Sequence, residues 1–192
     1  MKSETKIDDC LTIRNGHLFI EECDTVELVQ KFGSPLFVIS EKQLRENVRN
    51  YQTAFSSHWP DGKVEVLPAL KANWNLALRK ILSEEGAGAD VYSYGELYAA
   101  LKAGVKPEII SVNGGGKDEQ LIEECIRNGV RITIEDLDEP ELINQVARRL
   151  NKKAQVRFRV KPNFPRLQKP TDFAQEKVTI DLGIQVYKSA IP

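Results

Sequence analysis

Hydrophobic and polar residues alternate in a regular series from residue 63 onward. Short apolar runs predict five buried strands, at 64–70, 88–92, 108–112, 130–135 and 155–160. The amphipathic stretches between them predict four helices, at 75–85, 95–103, 118–128 and 138–150. Gly86, Gly104 and Gly129 stand where helices should end, because a helix C-terminus often needs a residue that accepts positive φ. This part of the chain is therefore a repeat of strand–helix units.

Consecutive units with short connections predict right-handed crossovers and a parallel sheet. Such a sheet belongs either to a doubly wound α/β fold or to a (β/α)8 barrel. No GxGxxG follows the first strand and no GxxxxGK[ST] occurs, so a dinucleotide or nucleoside triphosphate site is not indicated and we favour the barrel. A complete barrel needs about 250 residues. The 192 residues therefore predict an incomplete, TIM-like (β/α)8 barrel of about five units.

The segment before this series has a different pattern. Residues 11–20 alternate on both sides of Asn15-Gly16, the strongest two-residue hairpin signal, and so predict a short β element. The patterns that follow predict a short helix, an apolar strand and an amphipathic helix, at 25–33, 35–40 and 41–55. Ser40 is the expected N-cap of the last helix. The apolar face of that helix would contain Leu44, Val48, Tyr51 and Phe55.

Charge and composition narrow the class of partner. The chain has 27 Lys and Arg against 28 Asp and Glu, with a net charge of -1 and no long run of one sign. A nucleic-acid or membrane-surface partner is therefore not expected, since both need concentrated positive charge. With neither a signal peptide nor about 20 consecutive apolar residues, the sequence predicts a cytoplasmic protein. The widely spaced Cys10, Cys23 and Cys125 predict free thiols and no metal site.

The segment VEVLPALKANWNLALRKIL places Lys71 at the carboxyl end of a predicted buried strand, directly before a helix. Active sites of parallel βα folds form at this end of the strands. A lysine amine desolvated there can act as a nucleophile and form a Schiff base with an aldehyde cofactor. The alternative is a lysine that extends its ammonium into solvent, and position alone favours that alternative.

The string Ala69-Leu70-Lys71-Ala72-Asn73-Trp74-Asn75 closely resembles the YAxKANxN motif of the fold-type III pyridoxal-phosphate enzymes, the diaminopimelate, ornithine and arginine decarboxylases. GSPLFVIS resembles the entry segment of that family. GAGADVYSYGELYAALKAGVKPEIISVNGGGKDEQL and NGVRITIEDLDEPELI resemble its second to fourth barrel units. The resemblance runs in order from about residue 11 to 184, and the diaminopimelate decarboxylase branch is the most similar.

The resemblance implies a cofactor, pyridoxal 5′-phosphate, and three site residues. Lys71 would form the Schiff base with the cofactor, whose ring accepts electrons when an amino acid loses its carboxylate. Asp90 matches a family aspartate beside the cofactor, and Arg159 matches an arginine of the fifth strand that points toward that aspartate. A buried charge needs a partner, so we predict that Asp90 pairs with Arg159, with Arg157 as the rival on the same strand face.

Other conspicuous polar positions are interpreted structurally. Ser93 with Glu96, and Asp136 with Glu139, have the spacing of capping boxes at helix starts. The glycine run 114–116 could bind an anion. We discount that function, because the run occupies the place of a turn in the family, whose phosphate-binding glycines belong to a later strand.

The family pattern also implies a domain division. The sequence departs from that pattern at several positions. Residues 1–33 would pack on a C-terminal β domain, and residues 34–192 would form a partial barrel. Pro68 replaces a tyrosine of the motif and could create a bulge, and the string 181–184 is altered. The later segments that bind the phosphate and the ring nitrogen have no counterpart.

We therefore expect the N-terminal part of a decarboxylase that is inactive alone, acts on an amino acid, and needs a homodimer or a complementing chain. The alternatives are a regulatory pseudoenzyme partner and a pyridoxal-phosphate-dependent racemase.

Overall fold

Two sheets of different kinds organise residues 4–59 and 61–159, the part of the chain that the computed structural model describes. The first sheet is antiparallel, with its strands in chain order: β1 Glu4–Asp8, β2 Leu11–Arg14, β3 His17–Ile20 and β4 Cys23–Asp24. Asn15 and Gly16 connect β2 to β3 with φ values of 52° and 82°, the left-handed conformations that a tight two-residue turn needs. The predicted hairpin is confirmed, and the sheet has two further strands.

The second sheet is parallel throughout and has the order β5-β6-β7-β8. Its strands are β5 Ala89–Val91, β6 Ile110–Val112, β7 Arg131–Ile134 and β8 Gln155–Phe158. The helices of the described chain are α1 Thr25–Phe32, α2 Glu41–His58, α3 Leu76–Glu84, α4 Tyr94–Lys102, α5 Glu119–Asn128 and α6 Glu139–Leu150. A helix connects each strand of this sheet to the next, as crossover connections between parallel strands require. The predicted α/β fold with a parallel sheet is confirmed.

The core lies between this sheet and helices α4, α5 and α6. All three residues of β6 are buried, because the strand lies between two others and is covered by helices. In α5 the buried positions are two adjacent pairs four residues apart, which form one helix face: Leu121, Ile122, Cys125 and Ile126. The cysteines at positions 10, 23 and 125 are free thiols, as predicted. Burial raises the pKa of the Cys125 thiol to about 12, so this cysteine is a core residue and not a nucleophile.

The helix ends follow the sequence signals closely. Gly86, Gly104 and Gly129 all have positive φ at the ends of α3, α4 and α5. At the start of α4, Ser93 Oγ accepts a hydrogen bond from the N–H of Glu96 at 3.3 Å, while Glu96 Oε2 accepts one from Tyr92 N at 2.6 Å. The cap at Ser93 confirms the first member of this predicted capping box, whereas Glu96 accepts from the residue before the N-cap and not from Ser93 itself.

Residues 35–40 do not form the predicted strand. Their apolar side chains are exposed, and that of Phe37 is exposed to 97%. A strand requires a neighbouring strand to take up its N–H and C=O groups. Within the described residues neither sheet pairs with this segment, so its apolar character does not produce a strand.

The predicted strand at 64–70 is also not a regular strand. Val66 O accepts a hydrogen bond from Gly88 N at 2.9 Å, Pro68 O accepts one from Asp90 N at 3.4 Å, and a single parallel bridge joins Ala69 to Asp90. Pro68 has no N–H to donate, which limits the ladder at this point. The segment therefore lies beside β5 as an irregular extra strand.

Arg79 of α3 supplies additional hydrogen bonds to this segment. Its side chain is buried, and it donates from Nη2 to Gly88 O at 2.8 Å and from Nη1 to Pro68 O at 3.4 Å. Burial lowers the pKa of this guanidinium below its ordinary value. The arginine thus bonds to carbonyls of both the irregular segment and the residue before β5.

Helix α2 buries only part of its predicted apolar face. Val48 packs with Leu82 and Ala87, and Leu44 lies against this cluster. Tyr51 and Phe55, on the same predicted face, are exposed. Although α2 has 18 residues, neither it nor any other helix in the described ranges is long and apolar enough to cross a membrane.

Ion pairs hold the polar side of α2 against the end of α3. Glu85 accepts hydrogen bonds from Arg49 Nε at 2.6 Å and from Arg45 Nη1 at 2.9 Å. Arg45 also pairs with Glu41 and Glu84. The hydrogen bond from Arg49 has the largest effect on the pKa of Glu85, and that from Arg45 the next largest. Together they lower this pKa from its ordinary 4.5 to about 2.

A Glu85→Gln variant should lose less stability in acid than the wild type. Because the folded-state pKa of Glu85 is depressed, its contribution is present above the ordinary pKa and is lost as the pH falls from about 4.5 toward 2. Thermal unfolding between pH 2 and 6 should show a shallower decrease in melting temperature for this variant. The same change at the exposed Glu108 is the control, and equal slopes for Glu85→Gln and wild type would contradict the prediction.

Candidate functional site

Charged and polar side chains are concentrated at the carboxyl ends of the parallel strands. Lys71 follows the irregular segment, Tyr92 follows β5, Asn113 follows β6, Glu135 follows β7 and Arg159 follows β8. Carboxyl ends of parallel strands meet at one edge of a sheet, and this edge is where βα folds build binding sites. The sheet therefore gathers residues that are 88 positions apart in sequence, from 71 to 159, along one edge.

Local hydrogen bonds explain the position of Lys71. The residue lies in a 3-10 turn, Leu70–Ala72, whose first residue is fully buried. After the turn, Asn73 Oδ1 accepts a hydrogen bond from Asn75 N at 3.0 Å, and Asn75 Oδ1 caps α3 by accepting one from Ala77 N at 2.9 Å. The two asparagines of the motif thus end the turn and start the helix. Lys71 is left exposed between a buried anchor and a capped helix.

The amine of Lys71 lies over an aromatic ring. Its Nζ atom is 4.4 Å from the centroid of the Tyr92 ring, within the range of a cation–π interaction. Gly114 lies at an edge of this ring, because a Cβ at that position would be 2.9 Å from Tyr92 Cδ1. Tyr92 is therefore in contact both with the lysine and with the turn after β6.

Asp90 and Arg159 have different partners in the structure. Asp90 Oδ1 accepts a short hydrogen bond from Asn113 Nδ2, and Asn113 Nδ2 also lies 3.5 Å from Ser111 Oγ. Arg159 Nη1 donates to Glu135 Oε1 at 3.3 Å. The predicted Asp90–Arg159 pair is thus replaced, among these contacts, by an amide–carboxylate pair and a guanidinium–carboxylate pair. Asp90 lies within β5, Arg157 lies within β8 and Arg159 follows it, and these are the two outer strands of the sheet.

A buried ion pair lies beneath the glycine turn. Lys117 Nζ is 2.9 Å from Glu139 Oε1, with side-chain exposures of 1% and 7%, and it also donates a short hydrogen bond to Gly114 O. Glu139 Oε2 accepts from Glu135 N at 2.8 Å. The second predicted capping box is therefore wrong in its first member: Asp138 is the N-cap residue without a side-chain bond, and Glu139 bonds backward to Glu135.

The glycine run 114–116 has internal partners of its own. Gly114 donates its N–H to Glu135 Oε1 at 2.6 Å, and its carbonyl accepts from Lys117. Gly114 and Gly116 have positive φ, which is a reason for glycine at these two positions. These contacts support the interpretation of the run as a turn that connects β6 to α5.

Tyr92, Asn113 and Glu135 were not identified as site residues from sequence. Each is the first residue after a strand of the parallel sheet, so the rule that singled out Lys71 applied to them as well. Their chemistry is less conspicuous than that of a lysine in a motif. Their importance follows from contacts between different strand ends, which a linear pattern does not contain.

The parallel sheet and the polar side chains at its edge define a class, a parallel βα segment with an exposed amine at the carboxyl ends of its strands. Residues 41–185 match the family model described as the pyridoxal-dependent decarboxylase, pyridoxal binding domain. This chain belongs to that family, and it lies nearest the diaminopimelate decarboxylase branch. Residues 160–185 of this match, which include the string 181–184, lie outside the described residues.

Individual relatives agree with this assignment. The diaminopimelate decarboxylase of Aquifex aeolicus is 38% identical over 176 residues, which are 90% of this chain and 40% of that protein. That of Methanocaldococcus jannaschii is 36% identical over 191 residues, with coverages of 96% and 43%. Its structure in co-complex with L-lysine superposes with a TM-score of 0.82 at 34% identity, covering 95% of this chain and 44% of that one. The chain thus spans less than half the length of these relatives.

Proposed function

We propose that this chain provides the cofactor-binding part of a pyridoxal-phosphate-dependent amino-acid decarboxylase, with Lys71 as the residue that binds the cofactor covalently. The observation that carries the proposal is the position of Lys71: an exposed amine on a turn at the carboxyl end of the sheet, directly before a capped helix. A primary amine in such a place can add to an aldehyde carbon, with loss of water and formation of a C=N bond.

The other polar groups of the edge fit the same cofactor. Bound pyridoxal phosphate supplies an electron-accepting ring for the carbon that loses its carboxylate. Asp90, whose orientation is set by Asn113, offers a carboxylate to a protonated group beside Lys71. Arg159, held by Glu135, offers a cation to an anionic group of the cofactor or the substrate. We propose Asp90 and Arg159 as cofactor-binding residues on this basis.

The substrate proposal is diaminopimelate. Removal of one carboxylate from this diamino diacid as carbon dioxide, with a proton added to the same carbon, gives lysine, and a relative of this chain was solved with L-lysine bound. Diaminopimelate decarboxylase is also the name of the two relatives described above. These facts support an amino-acid substrate with a second ammonium group and, by the same chemistry, a role in lysine formation.

The domain division and the assembly remain proposals as well. Residues 1–33 end at Gly33 after the antiparallel sheet and α1, which supports a boundary before residue 34. We propose that the chain acts with a second copy or with a complementing chain and that it is a poor decarboxylase alone. The predicted cytoplasmic location stays a prediction.

The test of Lys71 is a labelling experiment. The chain is mixed with pyridoxal 5′-phosphate and reduced with borohydride, and modified lysines are located by mass spectrometry. One equivalent at Lys71, lost in Lys71→Ala and kept in the control Lys106→Ala, is the expected result. Labelling that spreads over many exposed lysines in the wild type, or that persists at full stoichiometry in Lys71→Ala, would overturn the proposal.

A further inference from the structure

The ring of Tyr92 has the amine of Lys71 over its face and the backbone of Gly114 near its edge. Nζ of Lys71 is 4.4 Å from the ring centroid, and the Cα of Gly114 carries no side chain where one would meet the ring at 2.9 Å. Resting on the proposed role of Lys71, we propose that Tyr92 is a positioning residue, whose ring holds the Lys71 ammonium in place until it loses a proton and becomes the amine that binds the cofactor covalently.

The ring is restrained through the backbone of Tyr92 and at one of its edges. The backbone N–H of Tyr92 donates to Glu96 Oε2 at 2.6 Å, so the main chain at this residue is fixed by the helix that it precedes. Gly114 has a φ of 88°, a conformation that favours glycine, and the missing Cβ leaves the space that the ring occupies. Gly114 is fixed in turn by its hydrogen bonds to Glu135 and Lys117. A ring restrained in this way can orient a flexible neighbour.

Lysine needs such a partner because its amine is carried on four methylene groups that rotate freely in solvent. Lys71 is exposed, so packing alone does not select one orientation. A cation–π contact at an exposed site is worth about 0.5–1 kcal/mol, equivalent to a two- to fivefold preference for the held orientation. Of the cation–π contacts among the described residues, that of Lys71 is the shortest, against 5.0 to 5.4 Å for the others.

The contact uses the face of the ring, so phenylalanine should replace tyrosine at this position. Leucine and methionine fill similar space without a π system and should not. The chain also contains a matched control: Tyr98 and Lys102 of α4 form a similar contact at 5.4 Å on the helix surface. Tyr98→Leu removes a ring from a lysine without touching the strand-end region.

The contact can be measured without the cofactor. Reductive methylation with ¹³C-formaldehyde places two methyl groups on Nζ, and Lys71→Arg identifies the resonance of Lys71. The methyl signals of Lys71 should be shifted upfield by the ring in the wild type and in Tyr92→Phe. They should move to the position of ordinary surface lysines in Tyr92→Leu and Tyr92→Met. An unchanged shift in both of these variants, at least one of which must keep the wild-type far-UV spectrum, would overturn the inference.

The effect of Tyr92 on the cofactor bound at Lys71 is measured with pyridoxal 5′-phosphate. Tyr92→Leu and Tyr92→Met should show a weaker visible circular dichroism band per bound cofactor, because the Lys71 side chain is no longer held in one orientation. Tyr92→Phe and Tyr98→Leu should behave as the wild type. If the wild type is labelled at Lys71 and all variants give equally strong bands, Tyr92 has no positioning role while the proposed function stands. If the wild type itself is not labelled at Lys71, both fail.

Discussion

Replacing Lys117 with methionine should lower the free energy of unfolding by about 3–5 kcal/mol. The substitution leaves the carboxylate of Glu139 in an almost fully buried position without its cation. It also removes the hydrogen bond to the carbonyl of Gly114, so the turn after β6 loses its tie to α6. Urea denaturation followed by circular dichroism gives this free energy directly.

Two variants separate the buried charge from other causes of this loss. In Lys117→Met combined with Glu139→Gln no unpaired charge remains, and a glutamine oxygen can still accept from Glu135 N, so much of the stability should return. Arg149→Met breaks an ion pair with Glu119 whose side chains are half exposed, and it should change the stability by less than about 1 kcal/mol. A Lys117→Met variant as stable as Arg149→Met would show that the buried pair is not formed.

A Gly88→Ala variant should be destabilised by about 3 kcal/mol, at the upper end of the range for overpacking. The added Cβ would lie 2.2 Å from the carbonyl oxygen of Ile109 and 3.0 Å from Leu67 Cγ. The first of these atoms belongs to the backbone that leads into β6, so the strand itself would have to move. Because Gly88 O also accepts from Arg79, the same movement should disturb the segment that carries Lys71.

The matched control makes the same substitution where the structure has room. A Cβ at Gly95, near the start of α4, meets no atom within 4 Å. Gly95→Ala should therefore raise the stability by about 0.5–1 kcal/mol, because alanine is the better helix former. Thermal melts of both variants test the pair. Equal effects of the two substitutions would show that β5 and the backbone at Ile109 do not approach each other as described.

The regular part of the fold was predictable because its signals are local. Helix ends at Gly86 and Gly129, the cap at Ser40 and the turn at Asn15-Gly16 each depend on residues within about four positions. The two strand predictions that failed have the same cause. Residues 35–40 and 64–70 are as apolar as true strands, but a strand exists only where a neighbour accepts its hydrogen bonds, and Pro68 limits that pairing.

The residues of the site can be divided in the same way, into those placed by local sequence and those whose contacts depend on packing. Sequence by itself determined the position of Lys71, because its motif contains both the buried anchor and the asparagines that start α3. The family resemblance also placed Asp90 and Arg159 on strands of one parallel sheet, and these are its two outer strands, β5 and β8. Only the tertiary structure decided their partners, Asn113 and Glu135, because these contacts join residues 23 and 24 positions apart.

Tertiary structure also decided two further contacts. These are the contact of the Tyr92 ring with Lys71 and the ion pair of Lys117 with Glu139. Each contact joins residues 21 or 22 positions apart, about one strand–helix unit. The periodic pattern predicts that such units lie side by side, since parallel strands align their carboxyl ends. Which side chains then meet depends on register, on burial and on a glycine that leaves room for a ring, and these are decided only when the units pack.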